Sequence, residues 1–442
     1  MTTAASVTVV GAGLAGCEAA WQLAQRGVAV RLFEMKPVRF SAAHSSEFLA
    51  ELVCSNSLRS DQPSNAIGLL HQEMRRLGSL ILEVADQSRV PAGRALAVDR
   101  EDFSRGVSER IEAAARIELI RDEVKTIPDG PVILASGPLT SENLAAAVGE
   151  FCGEALYFYD SISPTVYLDS LDLSQMFRAS RYDSGDQPEG DYLNIPLDRD
   201  AYHAFIHAVA AAEKVPLEVF EKPQYFEACL PIEVMIERGE DTLRYGPMKP
   251  VGLTDPRRGR RPYAALQLRQ EDKRGTLYSL VGFQTKLRQG EQKRIFRTLP
   301  GMQQAVFARF GSVHRNTFIN APELLGPRLQ HKSRDNVFFA GQMAGVEGYV
   351  ESAALGLLAG IFSAGWVGGR EAPLPPPETA HGALLRHLSD TTARSFQPMN
   401  VNFGLFPPLA EGGRRVPKRE RNQKMCQRAL DSLEAYATAV AP

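Results

Sequence analysis

At 442 residues the chain exceeds one ordinary hydrophobic core, so two or three domains are expected. Its composition, 44% hydrophobic and 23% charged with a formal net charge of −2, is that of a soluble globular enzyme. No apolar run reads as long enough to span a bilayer, and residues 1–6 are too short and too polar for a signal peptide, so a cytoplasmic location with no membrane partner is expected. The five cysteines (Cys17, Cys54, Cys152, Cys229 and Cys426) are odd in number and lack metal-ligand spacing, which argues against both a disulfide framework and a metal site.

The chain opens on VTVVGAGLAG. Residues 7–10 predict a buried strand, 11–16 a tight turn and 14–26 a helix with Leu14, Cys17, Trp21 and Ala24 on one apolar stripe. In that turn (Gly11, Ala12, Gly13, Leu14, Ala15, Gly16) each glycine has a task. Gly11 permits the bend, Gly13 lets bare backbone approach a pyrophosphate, and Gly16 lets helix and strand pack closely. The helix N-terminus, with unpaired N–H groups and partial positive charge, then faces the diphosphate. A second strand at 28–33 ends at Glu34, placed to accept hydrogen bonds from an adenosine ribose.

Residues 35–63 lack periodicity and predict a loop-rich segment, followed by one long amphipathic helix over 65–86. Short strands are expected at 95–98, 117–120, 124–127 and 132–135, with Asp99 and Asp102 at the start of a helix carrying Phe103, Val107 and Ile111. The strand at 132–135 breaks at Ser136-Gly137-Pro138, where Gly137 would again bring backbone to a cofactor. From about residue 159 the texture changes to short strands, the polar loop DSGDQPEG, a helix over 201–212 and a basic segment. NVFFA (336–340) then returns as a buried parallel strand, followed by Gly341, Gly345, Gly348 and a small-residue helix over 350–362.

The expected fold is therefore α/β: a Rossmann-like nucleotide-binding domain in two segments, 1–160 and 322–442, with an inserted α+β domain at 161–321 and a substrate cleft between them. EAPLPPPE (371–378) reads as a linker and the remainder as a tail containing His387, Phe396, Phe403 and Phe406. NAD and FAD share the first turn. The second glycine turn, far along the chain, favours FAD, because it aims a helix N-terminus at an isoalloxazine whose reduced form is negatively charged.

Charge is uneven. Residues 255–294 hold eleven Lys/Arg against four Asp/Glu, and 410–428 seven against two. The clusters Arg257-Arg258-Gly259-Arg260-Arg261 and Arg414-Arg415-Val416-Pro417-Lys418-Arg419 suit either phosphates or a solvated face.

The stretches GAGLAGCEAAWQLAQRG, ELVCSNSL, RVPAGRALAVDRE, SGPLTSE, FEACLPIE, YGPMKPVGL, LQLRQED, LVGFQTKL, HRNTFINAP and AGVEGYVESAA together resemble the folate- and FAD-dependent tRNA uracil-5-methyltransferase family, TrmFO, over nearly the whole chain. The flavoproteins MnmG/GidA share the FAD domain and paired cysteines but carry a longer C-terminal extension. The resemblance implies methylenetetrahydrofolate as carbon donor, reduced FAD as carrier and reductant, NADPH or NADH as its source of electrons, and C5 of a uridine in the tRNA T loop as acceptor. Uracil C5 becomes nucleophilic once a thiolate adds at C6. The family cysteines are Cys54 and Cys229. Cys229 is taken as the C6 nucleophile and Cys54 as the thiol beside the flavin, an assignment that can be exchanged. Glu227 or Glu233 is the candidate base for the C5 proton. His314, Gln284, Arg269 and Lys286 are candidate folate or substrate contacts, and Arg257 and Arg258 candidate tRNA contacts. Cys17, Cys152 and Cys426 are expected to be structural, no DNA partner is expected, and a monomer is favoured. The alternatives are an RNA-binding flavoprotein of the MnmG/GidA type without turnover and an NAD(P)H–thiol oxidoreductase using Cys54 and Cys229 as a redox pair.

Overall fold

A computed structural model of the chain describes residues 6–41, 43–153, 156–181, 190–216, 230–390, 396–409 and 417–442, with backbone alone at 156–160 and 314–315. The polar loop DSGDQPEG, except its last residue, together with Glu227, Cys229, Arg414 and Arg415, lies outside the described residues.

The predicted strands near the N-terminus assemble into a six-stranded sheet. Its order is Gln330–His331, Arg334–Phe339, Val132–Leu134, Ser6–Val10, Ala29–Glu34, Ile117–Arg121. All neighbours are parallel except the edge pair Gln330–His331 with Arg334–Phe339. Parallel strands covered by helices on both faces read as continuous apolar runs. Accordingly Val7, Val9, Ile133, Val337 and Phe339 are fully buried. The strand Arg334–Phe339 lies beside Val132–Leu134, with Val337 opposite Val132, so the chain leaves the sheet and returns to it.

Between those visits it builds a second sheet, antiparallel and also six-stranded, in the order Phe177–Arg178, Tyr192–Leu197, Ala264–Gln270, Leu277–Leu280, Thr165–Tyr167, Phe307–Arg309. The helices Arg199–Ala211 and Gln289–Phe296 contribute to its own core, built around Ile195, Tyr202, Phe205, Leu266, Phe283 and Phe296. An antiparallel ribbon, Leu156–Ser161 with Val313–Phe318, carries the chain out and back.

The glycine turns also serve helix packing. Helix Leu14–Gln25 lies against helix Tyr349–Val367 so closely that a Cβ on Gly356 would sit 2.2 Å from the Ala15 carbonyl oxygen, and one on Gly360 2.7 Å from that of Ala19.

Four sequence expectations are corrected. The single helix over 65–86 is two, Ala66–Arg76 and Leu80–Gln87. Gly78 between them adopts φ +73°, and Ser79 restarts the second helix by accepting the Leu82 N–H. Residues 124–127 form no strand, because Ile117–Arg121 is the sheet edge and Val124 turns into the cleft described below. The segment after the Pro-rich stretch is no loose tail. Its helices Ala380–Ser389 and Lys418–Ala439 bury Leu384, Leu388, Ala429 and Leu433 in the main core. Finally, Tyr349–Val367 is long and apolar enough to cross a membrane by length and composition; 78% of its apolar window is buried inside the fold, as a core helix requires.

Candidate active site: two adjoining clefts

The carboxyl ends of the parallel strands open into a cleft of about 1060 Å³ lined by Gly11, Ala12, Gly13, Leu14, Ala15, Glu34, Gly137 and Gly341. Ligands in open α/β sheets bind at this end. The glycines divide the labour. A Cβ on Gly16 would lie 1.7 Å from the Gly11 carbonyl oxygen and one on Gly11 2.5 Å from the Ser136 backbone, so these two close the turn. A Cβ on Gly13 or Gly137 meets nothing within 4 Å, so these two present bare backbone to the cleft. Gly345 has a packing role, since its Cβ would fall 2.3 Å from the Phe396 ring. Gly348 lines the neighbouring cleft and caps the helix that starts at Tyr349.

Glu34 is buried, and its carboxylate accepts the Ala12 N–H at 3.1 Å and the Lys36 N–H at 3.0 Å. Each oxygen has further lone pairs for a ribose hydroxyl. Two helix N-termini, at Leu14 and Tyr349, border this cleft, a donor set suited to a diphosphate and to an electron-rich ring system. The residues present fit a dinucleotide.

A second cleft, of about 1400 Å³, shares Val53, Pro138, Leu139, Gln342 and Tyr349 with the first and extends between the two sheets. Cys54, Arg59, Arg269, Gln284, Asn316 and Asn400 line it. Cys54, Arg269 and Gln284, far apart in sequence, are thus brought together. Lys286 does not line this cleft, and neither Arg257 nor Arg258 lies near it in the lining. His314 belongs to the ribbon strand Val313–Phe318, and its side chain lies outside the described residues. Glu233 is buried on the short helix Ile232–Glu237, accepts a hydrogen bond from the Thr285 hydroxyl, and is pushed up in pKa by burial.

The loop carrying Cys54 is fixed from three directions. The Tyr349 phenol oxygen accepts the N–H of Cys54 at 2.7 Å and of Ser55 at 3.2 Å. Arg269 donates to Asn56 Oδ1 at 2.8 Å and to Ser55 Oγ at 2.7 Å. Asn56 in turn donates to the Val98 and Gln270 carbonyls. Burial drives the Tyr349 pKa upward and the nearby Cys54 adds to the rise, so Tyr349 stays a neutral hydroxyl.

Behind this loop Arg100 is ion-paired to Glu271 and also donates to the Leu52 carbonyl. Burial opposes ionisation of Glu271, but Arg100 and Arg269 more than offset it and keep its pKa below the ordinary value. Cys54 lies within electrostatic reach of Arg100 and Arg309. Cys17, Cys152 and Cys426 are buried, and burial raises the Cys152 and Cys426 thiols to about 11, which makes them inert.

Sequence reasoning missed Tyr349, Arg100, Glu271 and Asn56. All four stand inside the quoted motifs GVEGYVES, AVDRE, LQLRQED and LVCSNS, but no spacing joins them. Asn400 had no signal at all.

The Glucose inhibited division protein A family matches residues 6–371. The methylenetetrahydrofolate–tRNA-(uracil-5-)-methyltransferase TrmFO of Geobacter sulfurreducens is 58% identical over 436 residues, covering 98% of this chain and 99% of the relative. TrmFO of Moorella thermoacetica is 55% identical over 428 residues, 96% and 97% of the two chains. Among solved structures, GidA of Aquifex aeolicus in one crystal form superposes with a TM-score of 0.69 at 18% identity, over 98% of this chain and 77% of that one, which speaks to the fold alone. More than half of the aligned positions are shared with full-length relatives, and the chain belongs to the TrmFO family, within the wider Glucose inhibited division protein A family.

Proposed function

We propose that the chain is a folate- and FAD-dependent tRNA (uracil-5-)-methyltransferase that takes its one-carbon unit from methylenetetrahydrofolate. The observation that carries this reading is the pair of joined clefts: a dinucleotide cleft that shares Val53 and Tyr349 with a larger cleft lined by Cys54, which has room for a folate and a base. Gly11 to Ala15, Glu34, Gly137 and Gly341 would hold the FAD, with Gly16 and Gly345 shaping the turns and Gly348 starting the second helix. Bound there, reduced FAD supplies the electrons and carries the carbon.

The protein's own part is to activate and position the base. The Cys229 thiolate adds to uracil C6, the displaced π electrons give C5 enolate character, and C5 bonds to the one-carbon unit. A base would remove the C5 proton as the C–N bond to the carbon's carrier breaks, leaving an exocyclic methylene on C5, and a hydride equivalent, whose electrons the bound flavin would supply, would reduce it to methyl as the S–C6 bond breaks and the thiolate is released. Glu233, whose pKa is raised by burial, is the described candidate base. Cys54 stands at the cofactor side of the cleft as the second thiol. Gln284 and His314 would contact the folate. Arg269 would meet its glutamate tail while also bracing Cys54, Lys286 and Arg258 would contribute charge toward RNA, and Arg257, paired to Asp255, would hold the turn that carries Arg258.

The uridine acted on would lie in the T loop, extruded from its stack before Cys229 reaches C6. NADPH or NADH would reduce the flavin. The proposed units are 1–160 with 322–442, and 161–321, acting as a cytoplasmic monomer.

The test is to incubate the purified protein with unmodified tRNA, NADPH and methylenetetrahydrofolate labelled at the methylene carbon. Label on a uridine C5 methyl is expected. Cys229→Ala should retain its flavin and transfer no label; transfer at the wild-type rate would sink the nucleophile assignment.

A further inference from the structure

The inserted domain carries a pocket of about 810 Å³, separate from both clefts, into which Arg199, Arg244, Arg258, Arg260 and Arg261 converge beside Tyr263. Two carboxylates also line it, and both are already engaged. Asp255 is held by Arg257 through both of its oxygens, and Asp198 caps helix Arg199–Ala211 by accepting the Ala201 N–H. Arg199, Arg258, Arg260 and Arg261 are exposed and form no ion pair among the described residues. Elsewhere on the surface Arg75, Arg89, Arg105, Arg110 and Arg294 pair with carboxylates.

The turn is built to hold this arrangement. Asp255 and Arg260 form a backbone bridge, the Gly259 N–H donates to the Asp255 carbonyl at 2.8 Å, and Arg257 ties the turn to the Ser174 carbonyl. Arg244 is fixed at the pocket's base. Its Nε donates to the Tyr263 carbonyl at 3.1 Å, and its guanidinium lies 4.2 Å from the Tyr263 ring centroid. Like charges gathered at such a site repel until an anion enters, and planar guanidinium groups match a phosphate in two-pronged geometry.

The pocket's position gives it a purpose. It adjoins Leu197 and Tyr263, at the Ala264 end of strand Ala264–Gln270, while Arg269 at the other end lines the cleft of Cys54. Five residues of strand separate Ala264 from Arg269, roughly 17 Å. A polynucleotide whose target base enters the cleft can therefore place a phosphate a few nucleotides away in this pocket.

We propose that these arginines bind one or two backbone phosphates of the RNA substrate and thereby set which nucleotide reaches the cleft. This rests on the RNA methyltransferase reading. Arg257 acts here on the shape of the turn, and Arg258, Arg260 and Arg261 on the phosphate. The experiment compares wild type with Arg258→Ala/Arg260→Ala, two exposed side chains whose loss leaves the turn's backbone bonds in place. Affinity for an unmodified tRNA transcript is measured from low to high salt alongside KM and kcat for methyl transfer.

Each lost phosphate contact should lower the salt slope by about 0.7 to 0.9 and weaken binding roughly fivefold at physiological salt. KM for tRNA should rise with kcat retained and flavin content unchanged. In a T-arm hairpin scanned with single neutral methylphosphonates, one position should weaken wild-type binding yet leave the variant's binding unaltered. An unchanged salt slope and KM, or no phosphate coupled to the substitutions, overturns the pocket assignment. A wild type that transfers no label to tRNA instead overturns the reading on which it rests.

Discussion

Cys54 owes its position to an oxygen nearly three hundred residues away in the chain. Its N–H and that of Ser55 both end on the Tyr349 hydroxyl, which raised pKa keeps neutral and therefore able to donate its own proton onward. Tyr349→Phe keeps the ring and removes the acceptor. It should cost about 1–3 kcal/mol, because two amides lose their partner in a largely buried place. Thermal unfolding reads that cost. Slower methyl transfer at unchanged flavin content separates loss of positioning from loss of cofactor, and a variant with wild-type kcat would show that Cys54 needs no such anchor.

At the scale of elements, the two helices that point at the dinucleotide cleft are packed backbone to backbone through glycines. Gly356→Ala would force a methyl to 2.2 Å from the Ala15 carbonyl oxygen, a contact relieved only by moving one helix, and with it the Leu14 or Tyr349 terminus. Overpacking of this kind costs about 1–3 kcal/mol or more. The expected outcome is a lower unfolding temperature together with weaker FAD retention on dilution, since the same displacement opens the cofactor cleft. A stable variant that binds FAD normally would mean that the helices can separate without disturbing the cleft.

For the molecule as a whole, the N-terminal part of the chain is tied to the antiparallel sheet by the pair of half-buried Arg100, which begins helix Arg100–Glu112, and buried Glu271, which follows strand Ala264–Gln270. The folded pKa of Glu271 lies below its ordinary value of about 4.3. Its contribution is therefore fully present above that value and is lost as pH falls through the lower, folded one. Stability should decline on acidification below about pH 4, measured as unfolding temperature against pH. Glu271→Gln leaves the half-buried Arg100 without its carboxylate and should lower stability at neutral pH, by at most about 3–5 kcal/mol. Its unfolding temperature should also fall less steeply over the acid range than that of wild type. Equal acid slopes would place the pH sensitivity elsewhere, for instance at Asp61, whose pKa is lowered against the cost of burial by hydrogen bonds from His71, Arg75 and Arg89.

Local chemistry was legible from the chain alone. The first glycine turn, the strand ending at Glu34 and the return strand before Gly341 are written in short-range patterns, because a parallel strand must be apolar on both faces and a phosphate turn must lack side chains. The break at Gly78 was missed because one positive φ interrupts a helix without altering its apolar periodicity. The C-terminal helices were missed because short apolar stripes amid charged residues look like a tail until the core they cover is known. Only the tertiary structure brought Tyr349 and Arg269 to the loop of Cys54 and Asn56, paired Arg100 with Glu271, and drew Arg199 and Arg244 in beside the Arg258 cluster. Those groupings join residues tens to hundreds of positions apart, and separation along the chain carries no information about distance in space until the sheets have closed over one another.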